Sequence, residues 1–261
     1  MSYMFFYQSL ETATLTYSAT PDTNYPITNL QDRCLNTFFR DSEIGGSSVT
    51  IKIDFGSPRR CDYILFGNYL AYGDGETLFQ LKYGTADNGT DFENTATSGY
   101  LSATSITNLL ETFKENSKTK RYWQIQILED AGFLDTIQIA TIYIGTMIEL
   151  SHDPELNIVI SADYPVKVNQ GVGGIRSGAI DCTTRRVIIN LNWKYLNSTD
   201  CDNLVIFRDA IFMNSDLSRY PFWVISDSGA NLEYMRTRGR LELTQMAYQA
   251  WQTNLTLEEE L

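Results

Sequence analysis

The stretch "VTIKIDFGSPRRCDYILFGN", residues 49–68, contains the pattern that decides the fold. In its first half, apolar and polar residues alternate, so that Val49, Ile51, Ile53 and Phe55 share one face of an extended chain. A Gly-Ser-Pro turn follows, and a second apolar run begins at Asp62. The pattern predicts two β-strands joined by a turn.

The same alternation recurs along the rest of the chain. It predicts further strands at residues 78–83, 122–128, 137–143 and 186–196. Short strands of this kind, separated by turn-rich segments, are typical of a β-sandwich or jelly roll. The sequence therefore predicts a mainly β protein.

One segment near the end of the chain has helical spacing instead. Thr199 fits a helix N-cap, and Asp202 places an acid in the first turn. Apolar residues then recur near helical intervals as far as Phe212, which predicts one helix at about residues 199–213. A boundary near residues 145–154 divides the chain into a first domain, 1–148, which includes the N-terminal strand, and a smaller α+β domain, 149–261.

The net charge of the chain argues against two classes of binding partner, nucleic acids and anionic membranes. The chain has 32 acidic and 20 basic residues, for a net charge of −12. Such a chain is repelled by phosphate backbones and anionic membrane surfaces, so we expect neither a nucleic-acid partner nor membrane insertion. The start, "MSYMFFYQSL", has no basic region and no long apolar core. We therefore expect that the chain has no secretory signal and that it is synthesised in the cytosol.

The reactive residues are few and scattered. Cys34, Cys61, Cys182 and Cys201 form no CxxC pair, and we expect reduced thiols rather than a disulfide framework or a zinc site. His152 is the one histidine, and no GxSxG motif supplies a nucleophile. The sequence predicts no enzyme activity, no cofactor and no transition-metal site.

Several short motifs, in order, give the first domain a family resemblance. They are residues 13–20 (ATLTYSAT), 25–32 (YPITNLQD), 37–40 (TFFR), 49–56 (VTIKIDFG), 63–68 (YILFGN), 81–89 (LKYGTADNG), 121–126 (RYWQIQ) and 142–145 (IYIG). Together they resemble the discoidin, or coagulation factor 5/8 type C, family, which is also called galactose-binding-like. The resemblance implies a discoidin-like jelly-roll β-sandwich.

The same resemblance implies a location for ligands. The family binds sugars, lipids or proteins through loops at one end of the barrel, which correspond here to residues 40–48 and 69–77. Arg40, Tyr69 and Tyr72 are the carbohydrate-binding candidates; the alternative for the two tyrosines is packing against a neighbouring loop or another protein. Many members hold a structural calcium ion. Asp32 matches its first acidic ligand, but Arg33 and Cys34 replace the next two, so Asp32 is only a weak calcium candidate.

The second domain resembles tail proteins of bacteriophages. Residues 144–150 (IGTMIEL), the glycine-rich 171–174 (GVGG) and a strand, helix, strand, strand order are similar to the belt domain of distal-tail or baseplate-hub proteins. This resemblance implies a smaller, β-rich, belt-like domain with one helix. It also implies a homo-oligomeric ring that contacts tail-tube, hub and fibre proteins, with edge strands such as 186–196 and 251–257 pairing between subunits.

Our interpretation from sequence is a structural component of a phage-like tail tip or baseplate, located in the virion and made in the host cytoplasm. A host glycan is a further expected partner. One alternative is a carbohydrate-binding protein that acts through the jelly-roll loops and recognises glycans on a host surface. Another is a glycan hydrolase, for which the sequence offers carboxylates but no motif that pairs them.

Overall fold

A computed structural model describes most of the 261-residue chain. The described residues are 3–41, 44, 46–73, 77–86, 93–101, 107–114, 117–129, 134–155, 159–163, 166–170, 176–180, 186–212, 220–226 and 231–260. The chain divides into two compact units: Gln8–Met147 forms one, and Met1–Tyr7 together with Ile148–Leu261 forms the other. We call the former the jelly-roll unit and the latter the helix-bearing unit.

Strands dominate both units, which confirms the predicted mainly β fold. In chain order the strands are β1 (Met4–Phe6), β2 (Thr14–Tyr17), β3 (Phe39–Asp41), β4 (Ser48–Cys61), β5 (Tyr63–Gly73), β6 (Thr77–Gly84), β7 (Glu93–Leu101), β8 (Thr107–Thr112), β9 (Lys118–Glu129), β10 (Leu134–Gly145), β11 (Ile148–Glu149), β12 (Val159–Asp163), β13 (Val166–Gln170), β14 (Arg176–Ile180), β15 (Arg186–Leu196), β16 (Phe222–Ser226), β17 (Asn231–Thr237), β18 (Glu242–Ala247) and β19 (Ala250–Glu259). A 3₁₀ helix spans Ile27–Gln31, and the α-helix α1 spans Ser198–Ile211.

The jelly-roll unit is an antiparallel sandwich of two sheets. One sheet has the order β2-β4-β9-β6-β7 and the other β3-β10-β5-β8. The predicted inward face of β4 is confirmed, because Val49, Ile51, Ile53 and Phe55 are all buried. These side chains share one apolar cluster with residues of the opposite sheet, such as Ile139. Burial of this shared apolar surface holds the two sheets together.

An ion pair joins the central strand of the five-stranded sheet, β9, to its neighbour β4. Arg121 on β9 donates from Nε and Nη2 to the two carboxylate oxygens of Asp54 on β4, at 2.7 and 2.8 Å. The guanidinium lowers the pKa of the Asp54 carboxyl below its ordinary value. Both side chains are partly exposed to water, so the pair contributes modestly to stability.

The helix-bearing unit is built on a third sheet, of eight strands. Its order is β11-β1-β16-β17-β19-β15-β12, and β18 pairs with β19. The buried face of α1, which includes Leu204, Phe207 and Ile211, packs in an apolar cluster with Leu191 and Leu255 of the sheet. The hairpin of β13 and β14 forms a separate two-stranded sheet.

The predicted helix is present but starts differently. Asn197, rather than Thr199, is the N-cap, and its Oδ1 accepts the backbone N–H of Asp200 at 2.8 Å. The Asp200 carboxylate is buried and accepts the backbone N–H of Ser151 at 3.0 Å. The helix ends at Ile211, before the predicted residue 213. An asparagine cap serves the same purpose as a threonine cap, because either oxygen satisfies a free backbone N–H.

The N-terminal strand lies elsewhere than the sequence suggested. The predicted first domain included residues 1–148, but β1 pairs with β11 and β16 of the helix-bearing unit, as in Met4↔Glu149 and Phe5↔Val224. The jelly-roll unit is therefore inserted between two neighbouring strands of the other unit's sheet. Pairing between residues this far apart in sequence leaves no local pattern to read.

The strands expected to form subunit contacts are interior. β15 is paired on both sides, with β12 and β19, and β19 is paired with β15 on one side and with β17 and β18 on the other. Their edges are therefore used within the chain. Among the described residues, β18 pairs with β19 alone, so its other edge is open, as are the outer edges of β11 and β12 at the two ends of the sheet.

Candidate functional site

The best-defined candidate surface of the jelly-roll unit lies along β3. Alternation in this strand places Phe39 in the core, fully buried, while Phe38 and Arg40 on either side of it are partly exposed. The ring of Tyr25 stacks on that of Phe38, with ring centroids 4.5 Å apart and planes 14° apart. We call Tyr25, Phe38 and Arg40 the β3 surface.

Backbone hydrogen bonds hold the Tyr25 segment against β3. The N–H of Arg40 donates to the carbonyl of Tyr25 at 3.1 Å, and the N–H of Asp22 donates to the carbonyl of Arg40 at 3.1 Å. Asn29 adds a side-chain bond, from Nδ2 to the carbonyl of Phe38 at 2.8 Å. The stacked rings and the guanidinium therefore belong to a bonded framework rather than to an isolated loop.

The inner side of β3 is anchored across the sandwich. Tyr17 of β2 donates its hydroxyl to the buried carboxylate of Asp41 at 2.7 Å, and its ring packs edge-on against Phe39 at 5.0 Å. Burial, followed by the hydrogen bond to Asp41, raises the pKa of Tyr17 above its ordinary value. The hydrogen bond and the ring contact together fix the position of the strand that carries Arg40.

Arg40 has hydrogen-bonding capacity left over. In the described part of the chain, its Nε is buried and has no hydrogen-bond partner. Gln138, on β10, lies directly across the ladder from Arg40 and is partly exposed. A polar ligand lying over the stacked rings would find a cation and an amide on the same face of the sheet.

Tyr69 does not belong to this surface, which corrects the prediction from sequence. β5 continues through Tyr69 as far as Gly73, and the Tyr69 ring is 3% exposed. The ring packs edge-on against Phe66 in the core, with centroids 6.2 Å apart. Tyr69 therefore lies in a strand and not in a binding loop, and its buried ring cannot stack on a sugar.

The other predicted positions are only partly described. The backbone of Tyr72 pairs with Thr136 on β10, two residues from Gln138, while the Tyr72 side chain lies outside the described residues. Residues 42, 43, 45 and 74–76 of the predicted binding loops also lie outside them. Of the three predicted carbohydrate contacts, Arg40 is the one whose side chain is both described and partly exposed.

The surroundings of Asp32 do not fit a calcium ion. Its Oδ1 accepts the N–H of Cys34 at 2.9 Å, and its Oδ2 accepts the hydroxyl of Thr37 at 2.5 Å. The carboxylate thus closes a local turn, and the next residue is the cation Arg33. In the described part of the chain, no three acidic, histidine or cysteine side chains come together as potential metal ligands.

Tyr25 and Phe38 are the residues that sequence reasoning missed. Alternation about the core residue Phe39 was sufficient to place Phe38 on the same face as Arg40. The stacking of Tyr25 on Phe38 had no such signal, because it depends on how the chain returns after Pro26 and the 3₁₀ helix.

The histidine belongs to a structural network in the helix-bearing unit. His152 Nε2 lies 2.8 Å from the carbonyl of Lys194; because a carbonyl only accepts, this nitrogen carries the hydrogen. The hydroxyl of Ser151 donates to the Asp200 carboxylate at 2.5 Å. Ser151 Oγ also lies 3.3 Å from His152 Nδ1, but its hydrogen is donated to Asp200 at the start of α1.

Cys34, Cys61 and Cys201 are free, and Cys182 lies outside the described residues. Within the described ranges, no helix is long and apolar enough to cross a bilayer.

No protein-family model matches the chain, and no curated protein sequence matches it. Among solved structures, a GH29 fucosidase of Ruminococcus gnavus in complex with fucose is 19% identical, with a TM-score of 0.43, and the match covers 55% of this chain and 28% of the fucosidase. A chitosan-binding module from a Paenibacillus sp. IK-5 chitosanase/glucanase is 13% identical, with a TM-score of 0.41 and coverage of 53% and 99%. The CBM32 of AlyQ in complex with 4,5-unsaturated mannuronic acid is 22% identical, with a TM-score of 0.38 and coverage of 55% and 97%.

Proposed function

We propose that this chain binds carbohydrate, without catalysis, through the β3 surface of its discoidin-like jelly-roll unit. The observation that carries the proposal is the half-exposed Tyr25–Phe38 stack on the same face as Arg40. The apolar C–H groups of a pyranose pack on aromatic rings, and its hydroxyl groups need hydrogen-bond partners beside them. The β3 surface offers the rings and Arg40 as a donor, and Gln138, opposite Arg40 on β10, can both donate and accept.

Removing one ring or the cation should weaken this binding. In a glycan array followed by calorimetry with the full chain, we expect Phe38→Ala and Arg40→Ala each to weaken saccharide binding about tenfold or more. The first loses stacking area, and the second a charge-assisted hydrogen bond. Tyr248→Ala is the matched control, because Tyr248 is an aromatic residue of the other unit that is 87% exposed. Absence of any saccharide binding, or equal losses in the control, would contradict the proposal.

A second candidate function is structural: a subunit of a phage-like tail tip or baseplate, made in the host cytoplasm and incorporated into the virion. It is favoured by the open edge of β18, a strand of six residues in which all but Leu243 are exposed. After Glu242, this strand carries no charge that would discourage pairing with another chain. An added strand from a second copy, or from a tube, hub or fibre protein, would satisfy its free backbone groups.

Assembly is measurable without knowing the partner. We expect the purified chain to form a closed homo-oligomer. Mass photometry should then show a single species whose mass is an integer multiple of the monomer mass, and electron microscopy should show a ring. Thr244→Lys, which puts a charge on the β18 edge, should shift the population toward monomer. Thr16→Lys makes the same change on the exposed β2 strand of the other unit and should not. A wild-type chain that stays monomeric at high concentration would remove the structural candidate.

A further inference from the structure

A polar cavity of about 470 Å³ lies on the sheet of the helix-bearing unit. Its walls are side chains of β15, β18 and β19 and of the connection between β17 and β18, including Asn192, Arg238, Arg240, Glu242, Gln252 and Asn254. All of its lining residues are polar, so the cavity is not a packing defect of the apolar core. Its volume falls within the range of small-molecule sites.

Strand alternation explains why this face is polar. Leu191 and Leu255 lie opposite each other and are buried beneath α1, whereas the next pair, Asn192 and Asn254, belongs to the other face. Gln252 continues the same row along β19, across from Thr244 of β18. The floor of the cavity is therefore a row of amides and hydroxyls, which both donate and accept hydrogen bonds.

Two arginines are placed at this floor by a turn. Arg238 and Arg240 flank Gly239, whose φ of +107° is a conformation that suits glycine. The N–H of Arg238 donates to the carbonyl of Thr256 at 2.7 Å, which ties the turn to β19. Both arginines are exposed, and among the described residues the guanidinium of Arg238 has no hydrogen-bond or ion-pair partner. Glu242 is the one acidic residue of the lining, so the cavity is locally positive in a chain of net charge −12.

From this arrangement we infer that the cavity is a second binding site, specific for a carboxylated saccharide of the uronate type. A guanidinium binds a carboxylate through two parallel hydrogen bonds, and Arg238 and Arg240 supply this recognition. Asn192, Gln252 and Asn254 match the hydroxyl groups of sugar rings, which require donors and acceptors together.

Two features select this class over others. The lining has no aromatic ring for a neutral sugar to stack on, so the carboxylate is the group that gives binding its strength. A polyphosphate or nucleic acid carries denser negative charge, which the acidic chain as a whole repels. The site lies in a different unit from the β3 surface and goes beyond the function proposed for that surface.

The test compares a charged saccharide with its neutral form. Calorimetry of the full chain with trigalacturonate should give binding that weakens with salt, while the fully methyl-esterified trisaccharide should bind about tenfold more weakly or not at all. Arg238→Gln and Arg240→Gln should each reduce trigalacturonate affinity about tenfold or more. Arg208→Gln is the matched control, since Arg208 is a half-exposed arginine on α1 that pairs with Asp209.

Three other results would overturn the inference. Equal affinity for the methyl ester would show that the site does not recognise the carboxylate. Stronger inhibition of trigalacturonate binding by sodium sulfate than by sodium chloride at the same ionic strength would indicate a general anion site. Loss of trigalacturonate binding in Phe38→Ala, with Arg238→Gln unchanged, would assign the acidic saccharide to the β3 surface. Failure of the β3 surface to bind sugar, with retention of these Arg238 effects, would leave the cavity site standing alone.

Discussion

Replacing Trp123 with alanine is expected to lower the free energy of unfolding of the jelly-roll unit by about 3–5 kcal/mol. Trp123 lies on the central strand β9, is fully buried, and sits in register with Ile53 on one side and Tyr83 on the other. Its ring also contacts Phe113 at 6.3 Å, and its indole N–H donates to the carbonyl of Lys120 at 3.1 Å. Truncation removes a large apolar contact area and leaves that carbonyl without its donor.

Urea unfolding followed by far-UV circular dichroism measures the loss, and limited proteolysis with mass spectrometry shows which unit opens. Cleavage should concentrate within residues 8–147. Tyr122→Ala, one residue earlier on the partly exposed face of β9, is the control and should cost far less. Equal effects of the two substitutions would show that the burial assigned to Trp123 is wrong.

Phe207→Ala is expected to have a comparable effect on the helix-bearing unit, about 3–5 kcal/mol. Phe207 is fully buried on α1, where its ring lies 5.1 Å from that of Phe5, 5.6 Å from Tyr7 and 4.8 Å from Phe222. The ring therefore joins the helix to β1 and β16. Its loss leaves a cavity against the N-terminal strand, which is held in the sheet by short ladders of hydrogen bonds.

Hydrogen exchange measured by mass spectrometry distinguishes this effect from general destabilisation. Residues 3–7 should lose protection first, because they depend on Phe207 for side-chain packing. Ile206→Ala is the matched control, since Ile206 is the preceding helix residue and is 56% exposed. Unchanged exchange of the N-terminal strand in Phe207→Ala would mean that its contacts with α1 contribute little.

Local periodicity made much of the fold predictable. The alternation at residues 49–55 identified β4 and its buried face, and the helical spacing after residue 199 identified α1 to within two residues at each end. Both signals arise because the spacing of apolar residues along the sequence follows the repeat of the strand or helix that buries them. The pairing of Phe5 with Val224 has no such local trace, so the sequence assigned β1 to the wrong unit.

The site was less predictable for a related reason. Arg40 was proposed from the family resemblance and stays a prediction. Tyr69 was wrongly assigned to a loop, because the length of β5 is fixed by its long ladder with β10 and not by its own sequence. The cavity beneath Arg238 gave no motif at all. It depends on which polar residues of β15, β18 and β19 come into register, and register between strands is a property of the folded chain.

The insertion of the jelly-roll unit between β1 and β11 has a consequence for how such a chain can change. The entry and exit points, Gln8 and Met147, adjoin residues that are already paired, Phe5 with Ile148. A short hairpin turn would close the gap left by removing residues 8–147. Recombination can therefore place a different domain at this position without changing any strand of the helix-bearing unit.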